Sequence, residues 1–472
     1  IAKPVRVYRA RIEPEAAPSK VSRGKKLVGK RLPKAALGII TVVVIAGAVI
    51  LYQFVLRPSP SKTEVASREK MAFPLPDVPS IAVLPFVNLS EDPKQEFLGD
   101  GITESIITAL SKAPRLFVIA RNSTFTYKGK PVKVKQVSEE LGVRYVLEGS
   151  FQRSGDRVRI TAQLIDALTG NHIWAERYDR DLKDIFALQD EITIKILTAT
   201  QVKLTEAGAV DRTEKYFKGK QGLDCYLKFL EGINYLERNT IEDTNLARRI
   251  AEEVIAICPE VPMAYVLMSN VHSNDYWLGS TRSPRESIEK AIDLAQKSLA
   301  LDNTLAWTHG HLSLLYTIKR EYDKAIAEGE RAVALNPSWA TGIASYAMSL
   351  DFAGRSEEAI PLFQKAIRLN PFGPVFYYLQ FGNALQMTGR FEEGVSSYKK
   401  AIQRTPNNMW AHLMLAATYS KMGREKEARA EAAEVLRINP KFSLDWWAKT
   451  SVYKEQSTRD NLFNALQKAG LK

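Results

Sequence analysis

The chain has 472 residues, enough for two or three folded domains, and its 45% hydrophobic and 25% charged residues give a globular composition. Its formal net charge is +13, but residues 1–34 alone contribute +9 through eleven Lys and Arg against two Glu. The other 438 residues therefore carry only +4, which argues against a nucleic-acid-binding body. We expect no nucleic acid among the partners.

An apolar run of 22 residues without a charge occupies positions 35–56. At about 1.5 Å per residue it slightly exceeds the roughly 30 Å of bilayer hydrocarbon, so it predicts one transmembrane helix in contact with lipid. A soluble core helix and a cleaved signal are the alternatives. Residues 20–34 hold seven Lys or Arg and no acid, whereas residues 57–70 mix four basic residues with two Glu. This asymmetry predicts a bacterial inner-membrane protein with residues 1–34 in the cytoplasm and everything after residue 56 in the periplasm.

Residues 57–79 contain five Pro, which favours an extended linker. Residues 80–205 are predicted to form a small mixed α/β domain, because short β-rich runs alternate with helical spacing. Residues 157–166 alternate apolar and polar side chains between two turn sequences and predict antiparallel pairing. The other predicted strands and helices lie at residues 80–87, 97–111, 116–120, 133–141, 143–153 and 183–203.

Four motifs in this segment, SIAVLPF, FLGDGITESIITAL, YVLEGSFQ and GNHIWAERYD, resemble the TolB N-terminal-like domain of bacterial envelope proteins. The resemblance implies a fold and an envelope setting but no active site. Gly99-Asp100-Gly101 is interpreted as the start of a helix, where Asp100 accepts hydrogen bonds from free N–H groups. A phosphate site at these N–H groups is the alternative.

After residue 210 the sequence is helical throughout and repeats. Residues that close successive units, Asn303, Pro337, Pro371, Pro406 and Pro440, lie 34, 34, 35 and 34 residues apart. Small residues recur where two helices approach closely, and the pattern resembles the tetratricopeptide (TPR) family. The four regular units end at the four prolines, and two longer units, ending at Pro259 and Asn303, precede them. This gives about six units over residues 222–440. Residues 441–472 break the period and are predicted to cap the last unit.

The TPR resemblance implies that a protein or peptide partner binds the concave face, at repeat positions 2, 5, 9, 12 and 13. The residues there are mostly apolar and aromatic, without the Lys-Arg clamp that would hold a free C-terminal acid. The alternative is that the aromatic side chains only fill gaps between repeats. The candidate groove residues are Trp307, Leu314, Met348, Phe352, Phe376, Asn383, Met387, Trp410 and Lys421.

Cys225 and Cys258 fall in one predicted helical hairpin and lack zinc-site spacing. We expect two separate buried thiols; the alternative is a disulfide, which would close about 33 residues and add roughly 3 to 4 kcal/mol. His309 and His412 share repeat position 4, a packing site. No metal site, cofactor site or catalytic group is predicted.

Residues 1–8, IAKPVRVY, resemble the closing strand of class III nucleotide cyclase domains. A basic segment, one span, a TolB-like domain and TPR repeats in that order also resemble bacterial adenylate or guanylate cyclase receptors. The resemblance implies that metal-binding and nucleotide-binding residues lie upstream, and Ile at position 1 marks an expected fragment. We expect no cyclase activity from this chain, and the choice between ATP and GTP stays open.

The sequence therefore predicts an α plus α/β protein: one transmembrane helix, a small α/β domain and an all-α TPR superhelix. The chain is expected to be the sensory region of a signalling protein, which binds a partner and regulates a cytoplasmic cyclase domain. Whether it forms a homodimer stays open. The alternatives are an envelope scaffold with no linked enzyme, or a membrane-bound transcription regulator with an upstream DNA-binding domain. IAKPVRVY disfavours the regulator.

Overall fold

The described part of the chain begins just before a mixed β-sheet and ends at the last residue. The structure, a computed structural model, describes residues 65–90, 92–113, 116–200, 216, 219–238 and 240–472. The basic segment 1–34, the predicted span 35–56 and the first part of the linker lie outside the described residues. Within the described ranges, no helix is both long enough and apolar enough to cross a bilayer.

Five strands of the sheet lie in the order β3-β1-β4-β5-β6, and the short β2 pairs with β4. β1 is parallel to β3 and β4, whereas β4, β5 and β6 form an antiparallel meander, so the predicted mixed α/β character is confirmed. The elements are β1 Ser80–Val83, β2 Val87–Asn88, α1 Glu96–Ser111, β3 Phe117–Val118, α2 Arg121–Thr124, α3 Val134–Leu141, β4 Tyr145–Ser154, β5 Arg157–Asp166, β6 Asn171–Asp181 and α4 Ile185–Ala199.

Local chemistry explains one good and one poor strand prediction. β5 alternates as its sequence predicts, with Val158, Ile160 and Leu164 buried in the core. The strand predicted at residues 80–87 is instead interrupted between β1 and β2. Pro85 lies in this gap, and proline cannot donate an N–H to a ladder.

The motif Gly99-Asp100-Gly101 lies inside α1, which begins at Glu96, so the prediction that Asp100 caps a helix start is wrong. The Asp100 carboxylate instead pairs with the Lys128 ammonium at 2.7 Å. A Cβ added at Gly99 would lie 2.3 Å from the Phe151 ring, and one at Gly101 would lie 2.2 Å from Leu230 Cδ1. The two glycines therefore allow close packing on β4 and on the first helix of the array.

Six helical hairpins follow in the described residues, and they confirm the predicted TPR superhelix. Two further helices, α17 and α18, come after them. The hairpins are α5 Gly219–Glu237 with α6 Ile241–Ile257, α7 Pro262–Trp277 with α8 Pro284–Leu301, α9 Ala306–Ile318 with α10 Tyr322–Leu335, α11 Ala340–Phe352 with α12 Ser356–Leu369, α13 Phe376–Met387 with α14 Phe391–Arg404, and α15 Met409–Lys421 with α16 Glu425–Ile438; then come α17 Leu444–Thr450 and α18 Gln456–Lys468.

The turns inside the last four units share a left-handed residue at repeat position 15. Three units have glycine there, Gly354, Gly389 and Gly423, with φ of 88°, 78° and 74°. The third unit has Arg320 with φ of 63°, and it is the one non-glycine residue with positive φ in the part of the chain that the structure describes. Glycine takes this conformation without a steric cost, whereas arginine does not.

Cys225 in α5 and Cys258 after α6 form a disulfide, with their Cα atoms 6.6 Å apart. This corrects the expectation of two separate thiols. The reason is the antiparallel hairpin, which brings the beginning of α5 beside the end of α6. The Gln221 side chain also donates to the Ile257 carbonyl at 3.0 Å, at the same end of the hairpin.

The sheet region and the array meet around Arg368, at the end of α12. Its guanidinium donates to the carbonyl oxygens of Leu141, Gly142 and Pro74 at 2.9, 2.8 and 3.1 Å. It also lies 4.7 Å from the centre of the Phe117 ring, and burial lowers its pKa to about 10. Residues 64–472 form one compact unit, so this contact joins the two regions directly.

Candidate functional site: the concave groove of the array

The predicted concave groove runs along the first helices of the repeat units, α9, α11, α13 and α15, which lie beside one another in the structure. The structure separates the nine predicted groove residues by their surroundings. Some pack between units, some are covered by the C-terminal residues of the chain, and some keep exposed surface. The sequence leaves two interpretations open for these side chains, binding a partner in the groove or filling gaps between repeats. Each interpretation therefore applies to different residues.

Trp307 is a packing residue. Its half-buried side chain lies against the core shared by the sheet region and the first two units. Its ring centre is 6.2 Å from that of Phe229 on α5, with the planes tilted by 59°. An aromatic pair of this geometry stabilises the junction between α5 and α9.

Phe352 and Asn383 are covered by residues 451–455, which we call the C-terminal strap. The Tyr453 hydroxyl donates to Asn383 Oδ1 at 2.5 Å. The Tyr453 ring lies edge-on to Phe352 with 5.0 Å between centres, and the Lys454 N–H donates to the Phe352 carbonyl at 2.9 Å. The strap therefore occupies the middle of the predicted groove.

The strap also reaches the third unit. The Arg320 guanidinium donates to the Ser451 carbonyl at 2.6 Å, and the Tyr322 hydroxyl donates to the Val452 carbonyl at 2.6 Å. After the strap, α18 packs against α15 with Leu462 and Leu466 fully buried. The sequence predicts that residues 441–472 cover the sixth unit. In the structure they do more, because part of the segment also folds back over the third, fourth and fifth units.

A buried polar network lies beneath the strap. Asp351 accepts from the Asn383 amide at 2.6 Å and from the Ser356 hydroxyl at 2.6 Å, and burial raises the pKa of Asp351 to about 6. Asn383 thus donates to Asp351 and presents its carbonyl oxygen to Tyr453. Burial also raises the pKa of the Tyr453 and Tyr398 hydroxyls, so both are neutral donors.

A cavity of about 500 Å³ opens beside this network. Its wall includes Met387, so this predicted groove residue borders open space next to the strap. Arg355 and Glu358 line the rim and pair with each other at 2.7 Å. Tyr453 of the strap lines the same cavity.

The other predicted groove residues differ in exposure. Trp410 on α15 is 41% exposed, the largest exposure among the predicted groove aromatics. Phe376 is half-buried and lies edge-on to Tyr377 at 4.7 Å. Lys421 is half-buried, and desolvation lowers the pKa of its ammonium group. Met348 is buried in the hydrophobic core of these units and half-buried Leu314 packs against the same core.

His309 and His412 hold their units together, in agreement with their prediction as packing residues. The His309 ring contacts Glu328 at 2.5 Å and the Asn303 carbonyl at 2.9 Å. The His412 ring contacts Glu431 at 2.6 Å and the Pro406 carbonyl at 3.0 Å. Each histidine therefore ties the first helix of its unit to the second helix and to the preceding turn.

His311 has a different environment from His309, although the two share the sequence His-x-His. It is fully enclosed, and desolvation lowers its pKa to about 4. Its neutral ring lies against the backbone of Ser269 in the preceding unit. The two imidazoles serve separate contacts rather than one metal ion. In the described ranges, no group of three His, Cys, Asp or Glu is arranged to hold a metal.

Sequence reasoning missed Asp351, Arg320 and Tyr453. Asp351 stands at repeat position 12, one of the concave positions, so its signal was present. Arg320 replaces the glycine found at the same position of the next three units, which is also a visible signal. Tyr453 had no local signal, because its contact with Asn383 joins residues 70 positions apart.

Three family models match parts of the chain. Residues 77–195 match the second domain of HilA/YgeH-like transcriptional regulators. Residues 343–372 and 385–451 match tetratricopeptide repeat models. The TPR prediction is therefore confirmed, whereas the TolB-like resemblance of residues 80–205 stays a prediction.

Two curated relatives differ in their described roles. The chain is 45% identical over 254 residues to "Putative adenylate cyclase 3" of Rhizobium meliloti (strain 1021), covering 53% of this chain and 42% of the relative. It is 21% identical over 307 residues to "Transcriptional regulator HilA" of Salmonella typhimurium (strain LT2), covering 63% of this chain and 52% of the relative. The chain thus spans about half the length of the curated relatives it matches.

Solved structures with similarity to the chain include TPR proteins. YrrB, described as a TPR protein with an unusual peptide-binding site, is 21% identical with a TM-score of 0.31, covering 42% of this chain and 97% of YrrB. PilF of Pseudomonas aeruginosa is 16% identical with a TM-score of 0.38, covering 48% of this chain and 96% of PilF.

Proposed function

We propose that this chain is the partner-binding region of a membrane-anchored signalling protein related to adenylate cyclases. The observation that carries the proposal is the 45% identity over 254 residues to a relative named as an adenylate cyclase. Because the chain covers 42% of that relative, cyclase activity is proposed for a longer protein that contains this chain. No catalytic residue is assigned here.

The TPR array supplies the binding function in this proposal. TPR units imply protein interaction, and the predicted groove offers the 41% exposed Trp410 together with a cavity of mixed polar and apolar lining that includes Met387. Tryptophan is enriched at the energetic centres of protein interfaces. The partner is therefore a protein or peptide segment.

The contact at Arg368 supports a route from the array to the sheet region. Its three hydrogen bonds go to backbone oxygens of Leu141 and Gly142 at the end of α3 and of Pro74 before β1, and the Ala120 N–H donates to the Leu369 carbonyl at 2.8 Å. A partner that shifts the fourth unit would therefore also shift the edge of the sheet. This direct contact is the physical basis for signal transfer in the proposal.

Residues 35–56 anchor the protein in the bacterial inner membrane in this proposal, with the array in the periplasm and contact with lipid limited to that segment. The basic flank at residues 20–34 supports the orientation. The Cys225–Cys258 bridge supports an oxidising compartment, since disulfides are rare in the cytosol. A homodimer would bring two cyclase domains together on the cytoplasmic side of the membrane.

The test measures conversion of ATP to cyclic AMP, and of GTP to cyclic GMP, by the longer protein in membranes. The informative variant is Arg368→Met, because it removes the three Arg368 hydrogen bonds between the array and the sheet region while the packing of Leu230 against α1 remains. We expect the rate or its response to envelope extract to change at least about threefold. Arg437→Met is the matched control, since Arg437 is exposed and pairs with Glu434. Equal output from all three proteins would contradict the proposal.

A transcription regulator is the second candidate, and one observation favours it. Residues 77–195 match a domain model of HilA/YgeH-like regulators, and the similarity to HilA extends over 307 residues. An electrophoretic mobility shift of genomic fragments by the longer protein would discriminate. Specific retardation of DNA without cyclic nucleotide formation would replace the first proposal.

A further inference from the structure

The C-terminal strap lies in the groove in the way that a bound peptide would. We propose that the groove of the third to fifth units binds an extended partner segment that carries a tyrosine, and that the strap fills this site in cis until such a segment displaces it. The inference deepens the proposed function and rests on it, since it gives the chemistry of the partner at the same groove.

The first argument is the pocket around Tyr453. Its side chain is 8% exposed, with the ring against Phe352 and the hydroxyl on Asn383 Oδ1. Asn383 cannot rotate freely, because its amide nitrogen is held by Asp351. A phenylalanine in this pocket would leave the Asn383 oxygen buried and unpaired, so the pocket selects tyrosine.

The second argument is that the other hydrogen bonds from the third and fourth units go to the backbone of the strap, beside the packing of the Val452 side chain against the core. Arg320 and Tyr322 donate to the carbonyl oxygens of Ser451 and Val452, and the Phe352 carbonyl accepts from the Lys454 N–H. Such contacts do not depend on side-chain identity. An extended segment can reproduce these hydrogen bonds if it places a tyrosine where Tyr453 lies, directly after the two residues whose carbonyl oxygens accept from Arg320 and Tyr322.

The third argument is the backbone of Arg320. The following three units place glycine at this turn position, and Arg320 alone among the four takes the left-handed conformation with a side chain. Such strain persists where a compensating contact exists, and it is concentrated at binding sites. The contact here is the bond from the guanidinium to the strap. The third unit thus has arginine in place of glycine at the turn position that holds the strap.

The fourth argument is access. The cavity of about 500 Å³ beside Tyr453 gives an incoming segment a place to bind before the strap leaves. The strap is short and lies between α17 and α18. Arg459 on α18 donates to the Tyr453 carbonyl, but α18 is also held against α15 by buried Leu462 and Leu466. Release of the strap therefore does not require α18 to unfold. Because a tethered segment has a high effective concentration, the strap raises the affinity that a partner needs.

The experiment uses the full chain and a fluorescein-labelled peptide of residues 449–457, with binding followed by fluorescence anisotropy. Tyr453→Ala removes the anchor of the strap but leaves the pocket, so we expect it to bind the peptide at least about tenfold more tightly than wild type. The same peptide with phenylalanine for tyrosine should bind about tenfold less tightly. In the double variant Tyr453→Ala, Asn383→Ala, the two peptides should bind alike.

Two further variants keep the result interpretable if Tyr453→Ala folds poorly. Tyr453→Phe retains the ring, and we expect a smaller gain in peptide affinity. Arg320→Gly removes both the hydrogen bond to the Ser451 carbonyl and the strained backbone conformation. Amide exchange at Lys454 should therefore accelerate while the melting temperature does not fall. Tyr346→Phe is the matched control, because its hydroxyl contacts exposed Glu330 and no part of the strap.

Peptide affinity that is equal for wild type, Tyr453→Ala and Tyr453→Phe would overturn the inference, as would equal binding of the tyrosine and phenylalanine peptides. A dimeric wild type that Tyr453→Ala converts to a monomer would show a strap supplied by a second copy and would overturn occupancy in cis. These readouts do not use cyclic nucleotide formation. Their failure is therefore distinguishable from failure of the proposed function.

Discussion

The first unit of the array and its third to fifth units are closed in two different ways. The first unit has the covalent bridge Cys225–Cys258 and packs against the sheet region through Leu230. The third to fifth units are closed by hydrogen bonds and one aromatic ring from the strap. A disulfide persists whatever binds nearby, whereas a set of hydrogen bonds can be exchanged for those of a ligand. The comparison separates an anchoring end from a binding end.

The largest expected effect is at the anchoring end. Cys225→Ser with Cys258→Ser should lower the free energy of unfolding by about 3 to 4 kcal/mol, because the bridge closes about 33 residues in the unfolded chain. Chemical denaturation with and without a reductant measures this, and reduction of wild type should match the variant. Peptide affinity at the groove should stay unchanged. A change there would mean that the two ends are not independent.

The next effect is the loss of stability in acid that protonation of His311 causes, where the third unit packs against the second. Burial lowers the pKa of His311 to about 4 in the folded protein, against an ordinary value of 6.5, so its contribution to stability is fully present above pH 6.5 and is lost as pH falls toward 4. Replacing it in His311→Phe should reduce the loss of stability between pH 7 and 4.5 by about 2.4 kcal/mol. Unfolding curves at both pH values test this. His172→Phe, at an exposed position, should leave the difference unchanged.

Acid should act in the opposite direction on the strap side. Burial raises the pKa of Asp351 to about 6 from 3.8, so its contribution is greatest below pH 3.8 and is lost as pH rises through 6. Wild type should therefore gain about 2 kcal/mol from this group between pH 7 and 4.5, and Asp351→Asn should not. Denaturation curves of both proteins give the difference. Asp323→Asn, at an exposed site, is the control; an equal effect there would contradict the assignment.

The smallest expected effect on stability is at Trp410. Because its side chain is 41% exposed, Trp410→Ala should cost about 1 kcal/mol or less, while capture of a partner from envelope extract should fall strongly. Trp307→Ala should do the reverse, since Trp307 packs against Phe229. Thermal melts and pull-downs of the two variants measure both quantities. Similar melting temperatures for the two would contradict the division between groove and packing residues.

Local periodicity explains what could be predicted from the sequence. Strand β5 and the 34-residue spacing are repeated patterns, so a short window suffices to recognise them. Pro85 is also a local signal, for a break in the strand. The β-rich residues on both sides of Pro85 nevertheless favour one continuous strand when the sequence is considered alone. Gly99 and Gly101 were interpreted from their neighbours in sequence, whereas their reason is contact with Phe151 and Leu230.

The strap could not be predicted for a different physical reason. Its bonds join residues far apart in sequence: Arg320 and Ser451 are separated by 131 positions. No periodicity links them, and residues 451–455 have no regular helix or strand pattern of their own. Asp351 was within reach of sequence analysis because the repeat places it on the concave face. Its raised pKa depends on burial by the network around Asn383, which only the folded arrangement defines.

The bridge between Cys225 and Cys258 also determines how the array responds to a protease. The turn between α5 and α6 contains exposed Arg238, which trypsin recognises, and this residue lies inside the loop that the disulfide closes. A chain cut there stays in one covalent piece, with unchanged mobility on a gel run without reductant. Added reductant separates two fragments. The first unit can therefore be nicked and still hold the array to the sheet region.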